Sequence, residues 1–236
     1  MSAPLLEAEG LRRVFGGLVA VDNVDLTIRH GDLICIIGPN GAGKSTLFNM
    51  LCGSIRPSAG RIRFQGDDLT GMKPYRFARI GIARKFQVPG LFESMSVRDN
   101  LLVAARSLDP AAAASRAGEL MDSLSLSTRS ETPAGELPHG QKQWLEIGMG
   151  LMSAPKLLLL DEPTAGMSAE ETRKTADLLL GLKGRIAVIA IEHDMRFVRQ
   201  LACRTMVLHQ GRLIADGTFA EIEANELVGD VYLGRR

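Results

Sequence analysis

Cysteine is scarce in this chain, numbering 3 among 236 residues. Cys35, Cys52 and Cys203 have neither metal-ligand spacing nor an even count, which argues against a disulfide framework or a cysteine-built metal site. Reduced thiols in or near a core are expected instead, and they fit a cytosolic setting. Net charge is nearly absent too: 28 basic residues face 27 acidic ones, for a formal charge of +1. No basic field is available to wrap nucleic acid, so no nucleic-acid partner is expected. No apolar run approaches the ~20 residues that cross a bilayer, and Met1 to Glu7 lack the basic start and apolar stretch of a leader. The chain should be soluble by itself yet able to dock on a membrane protein. Internal repeats and low-complexity linkers are missing as well, and the length suits one large domain, or a core with a subdomain.

What the sequence does contain is a phosphate-cradling loop. Gly38-Pro39-Asn40-Gly41-Ala42-Gly43-Lys44-Ser45-Thr46 fits G-x-x-x-x-G-K-[ST] and follows the apolar run Leu33 to Ile37. A strand leading into a glycine-rich turn that opens a helix over 44–51 is the context in which this pattern holds phosphate. The N–H groups of Gly41, Ala42, Gly43 and Lys44 are expected to converge on one concavity, reinforced by the helix N-terminus. Glycine at 41 and 43 permits close approach and positive φ. Lys44 adds a charge for the outer phosphates, and the Ser45 hydroxyl suits Mg²⁺.

Hydrophobic patterning divides the chain into β-rich and helical stretches. Alternation over 5–11 and 20–28, the buried run at 33–37 and a short stretch at 61–64 read as strands, with a turn at Gln65 to Asp68. From about Ser96 to Gly150 the pattern turns helical. Beyond it, the runs at 156–160 and 185–191, continuously apolar after Lys156 and Arg185, flank a helix over 169–182, as in parallel strands covered on both faces. The fold class is therefore α/β with a helical insert.

A second cluster of chemistry stands at strand ends, where open parallel sheets place their ligands. Asp161 and Glu162 close the run Leu157 to Leu160: one carboxylate can orient Mg²⁺, and the other can polarise a water for in-line attack on a γ-phosphate. By itself the pair could equally be a solvated acidic turn before Pro163. Ile191-Glu192-His193-Asp194 ends the next strand, and although a lone histidine is usually structural, the shared edge favours a role for His193 near the γ-phosphate.

Together these residues resemble the nucleotide-binding subunits of ABC transporters, over the whole chain and in the family's motif order. The resemblance implies a P-loop NTPase (RecA-like) core with an N-terminal antiparallel β subdomain and a helical subdomain. Residues 1–87 and 154–236 would form the nucleotide-binding core, and 88–153 the helical signature subdomain. It implies ATP and Mg²⁺ as cofactors and ATP hydrolysis as the activity. Phe15 falls where the family stacks an aromatic ring on adenine, although by itself it reads as a core residue. Gln87 falls at the glutamine that touches Mg²⁺ and senses the membrane subunit. Leu137-Pro138-His139-Gly140-Gln141 sits at the signature, normally Leu-Ser-Gly-Gly-Gln, which caps the nucleotide of the opposite subunit. Ser45, Gln87 and Asp161 are the implied metal contacts, Glu162 the catalytic carboxylate and His193 the switch histidine.

Implied partners are a second ATPase subunit in a head-to-tail, heteromeric pair, two transmembrane permease subunits and, indirectly, an extracytoplasmic solute-binding protein. The chain would sit on the cytoplasmic face of the inner membrane, held through the permease. Leu91, Phe92 and Met95 are expected to be exposed and to line a groove for a permease helix. Two departures stand out. Pro138 removes the signature hydroxyl and a backbone donor, with His139 in place of the first glycine, and Ser168 ends a loop that usually ends in aspartate, so the paired sites are expected to be unequal. Gly16 to Val21, Ile191 to Met195 and Val231 to Gly234 are similar to the branched-chain amino acid and urea/amide importers. His139 to Met149, Ala165 to Met167 and Val207 to Gly211 are more similar to the urea type. Urea or a short amide is the expected solute, with branched-chain amino acids the alternative. Trp144 is the sharpest of these residues, though on physics alone it is a helix anchor in a core. Outside transport, a translation- or DNA-linked ATPase would need paired cassettes, coiled coils or basic regions that are not seen here. A regulatory protein that binds ATP without hydrolysing it is opposed by Glu162 and His193.

Overall fold

The structure is a computed structural model describing residues 3–85, 90–105 and 108–232. The early alternation folds as β1 (Leu6–Phe15) and β2 (Leu18–Ile28), an antiparallel hairpin that buries Leu6, Leu11, Val21, Val24 and Ile28 on one side. Both strands run further than the alternation suggests, because pairing continues to Phe15 opposite Leu18. After β3 (Leu33–Ile37) comes α1 (Lys44–Leu51), where the glycine loop is expected to open a helix. Next, β4 (Ala59–Phe64) turns at Gln65 and Gly66, both at positive φ (53° and 90°), into the two-residue β5 (Asp67–Asp68). Positive φ at both central positions suits a tight hairpin, so Asp67 and Asp68, expected within the turn, instead pair with Phe64 and Arg63.

Helix α2 (Pro74–Arg79) and strand β6 (Ile82–Arg84) lead to the helical stretch, α3 (Val97–Ala104), α4 (Pro110–Ser123) and α5 (His139–Met152). The α/β pattern then resumes through β7 (Leu157–Asp161), α6 (Ala169–Leu182), β8 (Ala187–Ile191) and α7 (Met195–Leu201). The chain continues as β9 (Arg204–His209), β10 (Arg212–Thr218), α8 (Phe219–Ala224) and α9 (Glu226–Tyr232). Two sheets result. The smaller has the order β2-β1-β4-β5 and the larger β10-β9-β3-β8-β7-β6, parallel throughout except where β10 runs against β9.

Apolar burial explains this layering. Ile34, Ile36 and Ile189 face Phe48 and the small sheet in one core, while Cys35, Ile37, Leu158 and Leu160 face Leu179 and Phe197 in another. Covering both faces is why β3, β7 and β8 lack alternation. A third core, with Val97, Leu101, Ala117, Trp144 and Leu145, holds α3, α4 and α5 together. All three cysteines are buried free thiols, as their setting suggests, and the Sγ atoms of Cys35 and Cys203 lie 3.5 Å apart. No helix among the described residues is long and apolar enough to cross a membrane.

Candidate nucleotide site

Parallel pairing brings the chemistry to one sheet edge. Ile36 and Asp161 both stand opposite Ile191, so β3, β7 and β8 end together, with the glycine loop, Glu162 and His193 just beyond them. The loop's shape depends on glycine. Gly41 and Gly43 have φ of 79° and 100°, and a Cβ on Gly43 would lie 2.2 Å from the Ala20 carbonyl oxygen. Gly43 caps α1 without a side-chain acceptor, and the first intrahelical bond runs from Leu47 N–H to its carbonyl. The N–H groups of Lys44, Ser45 and Thr46 therefore have no acceptor within the helix and suit an anion. Ala42 departs from expectation: its N–H donates to the Pro39 carbonyl at 3.1 Å, closing the loop on itself rather than facing a ligand.

The Lys44 ammonium is buried and donates to the carbonyls of Gly38 (2.7 Å) and Pro39 (3.1 Å). Burial lowers its pKa, while Glu162 and Asp161 pull it back up. Asp161 is itself buried, and desolvation, followed by the nearby Glu162 charge, raises its carboxyl above the ordinary range against the pull of Arg84, Lys85 and Lys44. Glu162 takes the left-handed backbone conformation (φ 46°), and its Oε1 lies 3.3 Å from His193 Nδ1. Below this pair, the buried Glu192 carboxylate accepts from the Thr164 hydroxyl and N–H and from the His193 N–H, pinning the turns after both strands. Burial pushes the Glu192 carboxyl up as well.

A cleft of about 520 Å³ joins the loop to its surroundings, lined by Phe15, Asn40, Gly41, Lys44, Ser45 and Glu162 among others. Phe15, read by itself as a core residue, is 40% exposed at the cleft's mouth with the Arg13 guanidinium 4.4 Å from its ring centroid. The strand end at Phe15 explains this: the β1–β2 hairpin tip projects past the core. Leu18, Val19, Ala20, Gln210 and Gly211 also line the cleft and were not singled out as site residues. Their only local mark is turn chemistry, with positive φ at Gln210 (45°) and Gly211 (78°). Gln87 lies outside the described residues.

The expected signature segment stands apart from this cleft, at the start of α5. Pro138 is the N-cap, and with Lys142 N–H making the first helical bond to it, the N–H groups of His139, Gly140 and Gln141 have no acceptor within the helix. Ser168 is engaged locally: it caps α6 in a reciprocal box with Glu171. Of the three apolar residues expected to be exposed, only Phe92 is (48%), whereas Leu91 and Met95 are half-buried, Leu91 against the helical core. Phe92 borders a cleft of about 360 Å³ shared with Arg84, Lys85, Val103 and Glu146.

Glycine cradle, uncapped helix start, buried lysine and strand-end carboxylates fit a nucleoside triphosphate. They also fit the few protein ligands that Mg²⁺ takes when phosphates and waters supply the rest. The loop N–H groups and Lys44 would hold the phosphates, and Ser45 and Asp161 the metal. This fold and edge define a P-loop nucleotide-binding domain. A family model described as ABC transporter matches residues 21–165. The high-affinity branched-chain amino acid transport ATP-binding protein BraF of Pseudomonas aeruginosa is 38% identical, covering 99% of each chain. LivG of Escherichia coli, with the same description, is 36% identical at the same coverage. An ATP-binding cassette of an ABC transporter, crystallised in its ADP conformation, matches with a TM-score of 0.88 at 30% identity, covering 99% of this chain and 100% of that one. The chain belongs to the ABC transporter ATP-binding family, for which ATP hydrolysis is expected.

Proposed function

We propose that this chain is the ATP-hydrolysing subunit of an importer of the branched-chain amino acid type. The observation that carries the solute class is full-length similarity to BraF and LivG. Urea, expected from short shared segments, gains no support from these relatives, and the alternative takes its place. The sharpest residue of those segments has a packing role: Trp144 is a buried anchor donating to Thr175 (2.9 Å). Within this reading 1–87 and 154–236 act as core and 88–153 as the helical subdomain, and Phe15 stacks on adenine.

Bound MgATP would supply the phosphoanhydride and the charge of its metal. Glu162 then accepts a proton from the attacking water, with His193 orienting Glu162 through the 3.3 Å contact. Lys44 leaves the Gly38 and Pro39 carbonyls to meet phosphate. Leu137 to Gln141 cap the nucleotide held by a second ATPase subunit, and the Phe92 cleft receives a cytoplasmic segment of one of two permease subunits, keeping the chain on the membrane's cytoplasmic face. The test is labelled leucine and urea uptake by the chain reconstituted with its permease and binding protein. Leucine uptake is expected, with Glu162→Gln keeping ATP binding while slowing hydrolysis about 10²-fold or more. Lys44→Ala should instead weaken ATP binding itself. Urea uptake without leucine uptake would overturn the solute, and near-parental turnover by Glu162→Gln would overturn the base.

A further inference from the structure

His139 stands where the family has a small glycine, at the first turn of α5, and its side chain reaches out of its own helix. Its Nε2 lies 2.9 Å from the Ala165 carbonyl oxygen. That oxygen can only accept, so Nε2 carries the proton and donates. Directly beneath the ring is Gly166, at φ 73°, where a Cβ would come 3.1 Å from Nε2. A side chain there would press on the ring, so the glycine and the histidine fit one another. The Gln143 amide nitrogen, buried one turn along, lies 3.4 Å from the same nitrogen; both carry hydrogens, so Gln143 packs against the ring without bonding to it.

The loop that His139 holds begins at Glu162. Ala165 N–H donates to the Glu162 carbonyl (3.1 Å), and Met167 N–H to that of Thr164 (3.1 Å). Two hydrogen bonds thus connect the imidazole to the backbone of the residue whose carboxylate faces the glycine loop. Further contacts join α5 to the same region: a Cβ on Gly140 would lie 2.2 Å from Glu171 Oε1, and Trp144 donates to Thr175, whose hydroxyl is 3.3 Å from Met167 Sδ. The start of α5, the loop over 162–168 and the start of α6 form one packed unit, and His139 is the one side chain of α5 bonded to the loop's backbone through its own N–H among the described residues.

We propose that His139 is a positioning residue for Glu162: it ties the segment that caps the partner's nucleotide to the loop that sets the catalytic carboxylate of its own chain, so that closure around one nucleotide is felt at the other. The role rests on the nucleotide-site reading given above. A glycine at 139 would leave the Ala165 carbonyl without this donor and leave the two segments joined by packing alone.

Amide hydrogen exchange on the full nucleotide-free chain tests the tie without requiring turnover. His139→Ala should speed exchange at Ala165 and Met167 by about five-fold, the scale of one neutral hydrogen bond, and His139→Gln, whose amide N–H can reach the same carbonyl, should restore protection. In the assembled ATPase pair, His139→Ala should lower kcat by about the same factor with KM for ATP unchanged and with reduced cooperativity, and His139→Gln should recover both. Unchanged exchange at Ala165 and Met167 in His139→Ala overturns the tie. Faster exchange with unchanged kcat and cooperativity overturns the transmission to Glu162. If the parent pair binds no ATP, the nucleotide-site reading fails, while the exchange result still decides whether the tie exists.

Discussion

Asp161 ends a strand with no exposed residue, and burial together with the neighbouring Glu162 holds its carboxyl above the usual range. A native pKa above the unfolded one means that the folded state keeps its proton to higher pH, so ionising Asp161 costs stability as pH rises through that window. Phosphate-bound metal would relieve this cost; the nucleotide-free chain bears it. Asp161→Asn should therefore raise the Tm of the nucleotide-free protein at neutral pH by about 2–4 °C for each kcal/mol relieved. Near pH 4, about the ordinary carboxylate value, the difference should shrink. Melting curves at both values decide this, and an equal shift at both would mean that shape rather than charge is responsible. The placing of Asp161 and Glu162 at the sheet edge beside the glycine loop is legible from their position at the end of an apolar strand. The contact between Glu162 and His193 is legible only as a shared edge, since it also needs the left-handed turn at Glu162.

Helices α1 and α6 are legible to the residue because each has an unambiguous start: glycine before Lys44, and Ser168 with Glu171 before the run of helix formers. Strand β6 is not, since three residues carry no periodicity and Ile82 to Arg84 are extended only because Leu157 to Leu159 lie beside them. The same holds for Asp67 and Asp68, whose composition says turn while the register says strand. Between α5 and α6, Trp144 is recognisable as an anchor, but its partner is not, because Thr175 lies 31 residues away. Thr175→Val keeps the shape and removes the acceptor of a buried N–H, at a cost of about 1–3 kcal/mol. Chemical denaturation should show a lower midpoint with an unchanged m-value; a change in m would mean that the packing between the two helices had been altered.

Across the whole molecule, the large sheet and the helical stretch meet at a buried ion pair. Lys85, just past β6, lies 3.7 Å from Glu146 on α5, and Glu146 also accepts from the Gly90 N–H at 2.7 Å. Burial moves both groups toward neutrality, the lysine down and the glutamate up, while each opposes the shift in the other. Removing Glu146 takes from the buried Lys85 its nearest carboxylate and leaves only Asp161 and Glu192 to oppose its desolvation, so Glu146→Ala should destabilise the chain by up to about 3–5 kcal/mol. Glu146→Gln keeps the acceptor for Gly90 and should cost less. Equal losses for the two variants, measured by equilibrium unfolding, would show that volume matters there and charge does not. This joint borders the Phe92 cleft, so a segment seated in that cleft would press on the contact between sheet and helices.

The two carbonyl contacts of Lys44 also bear on the speed of nucleotide capture. An ammonium bonded to Gly38 and Pro39 holds the loop in its curved form from inside, so the loop need not fold around an arriving phosphate. Encounter then waits on diffusion and on one side chain changing partners, a motion of picoseconds to nanoseconds for an exposed group and slower for a buried one. The observed binding rate should climb in proportion to nucleotide concentration instead of levelling off at the rate of a conformational gate.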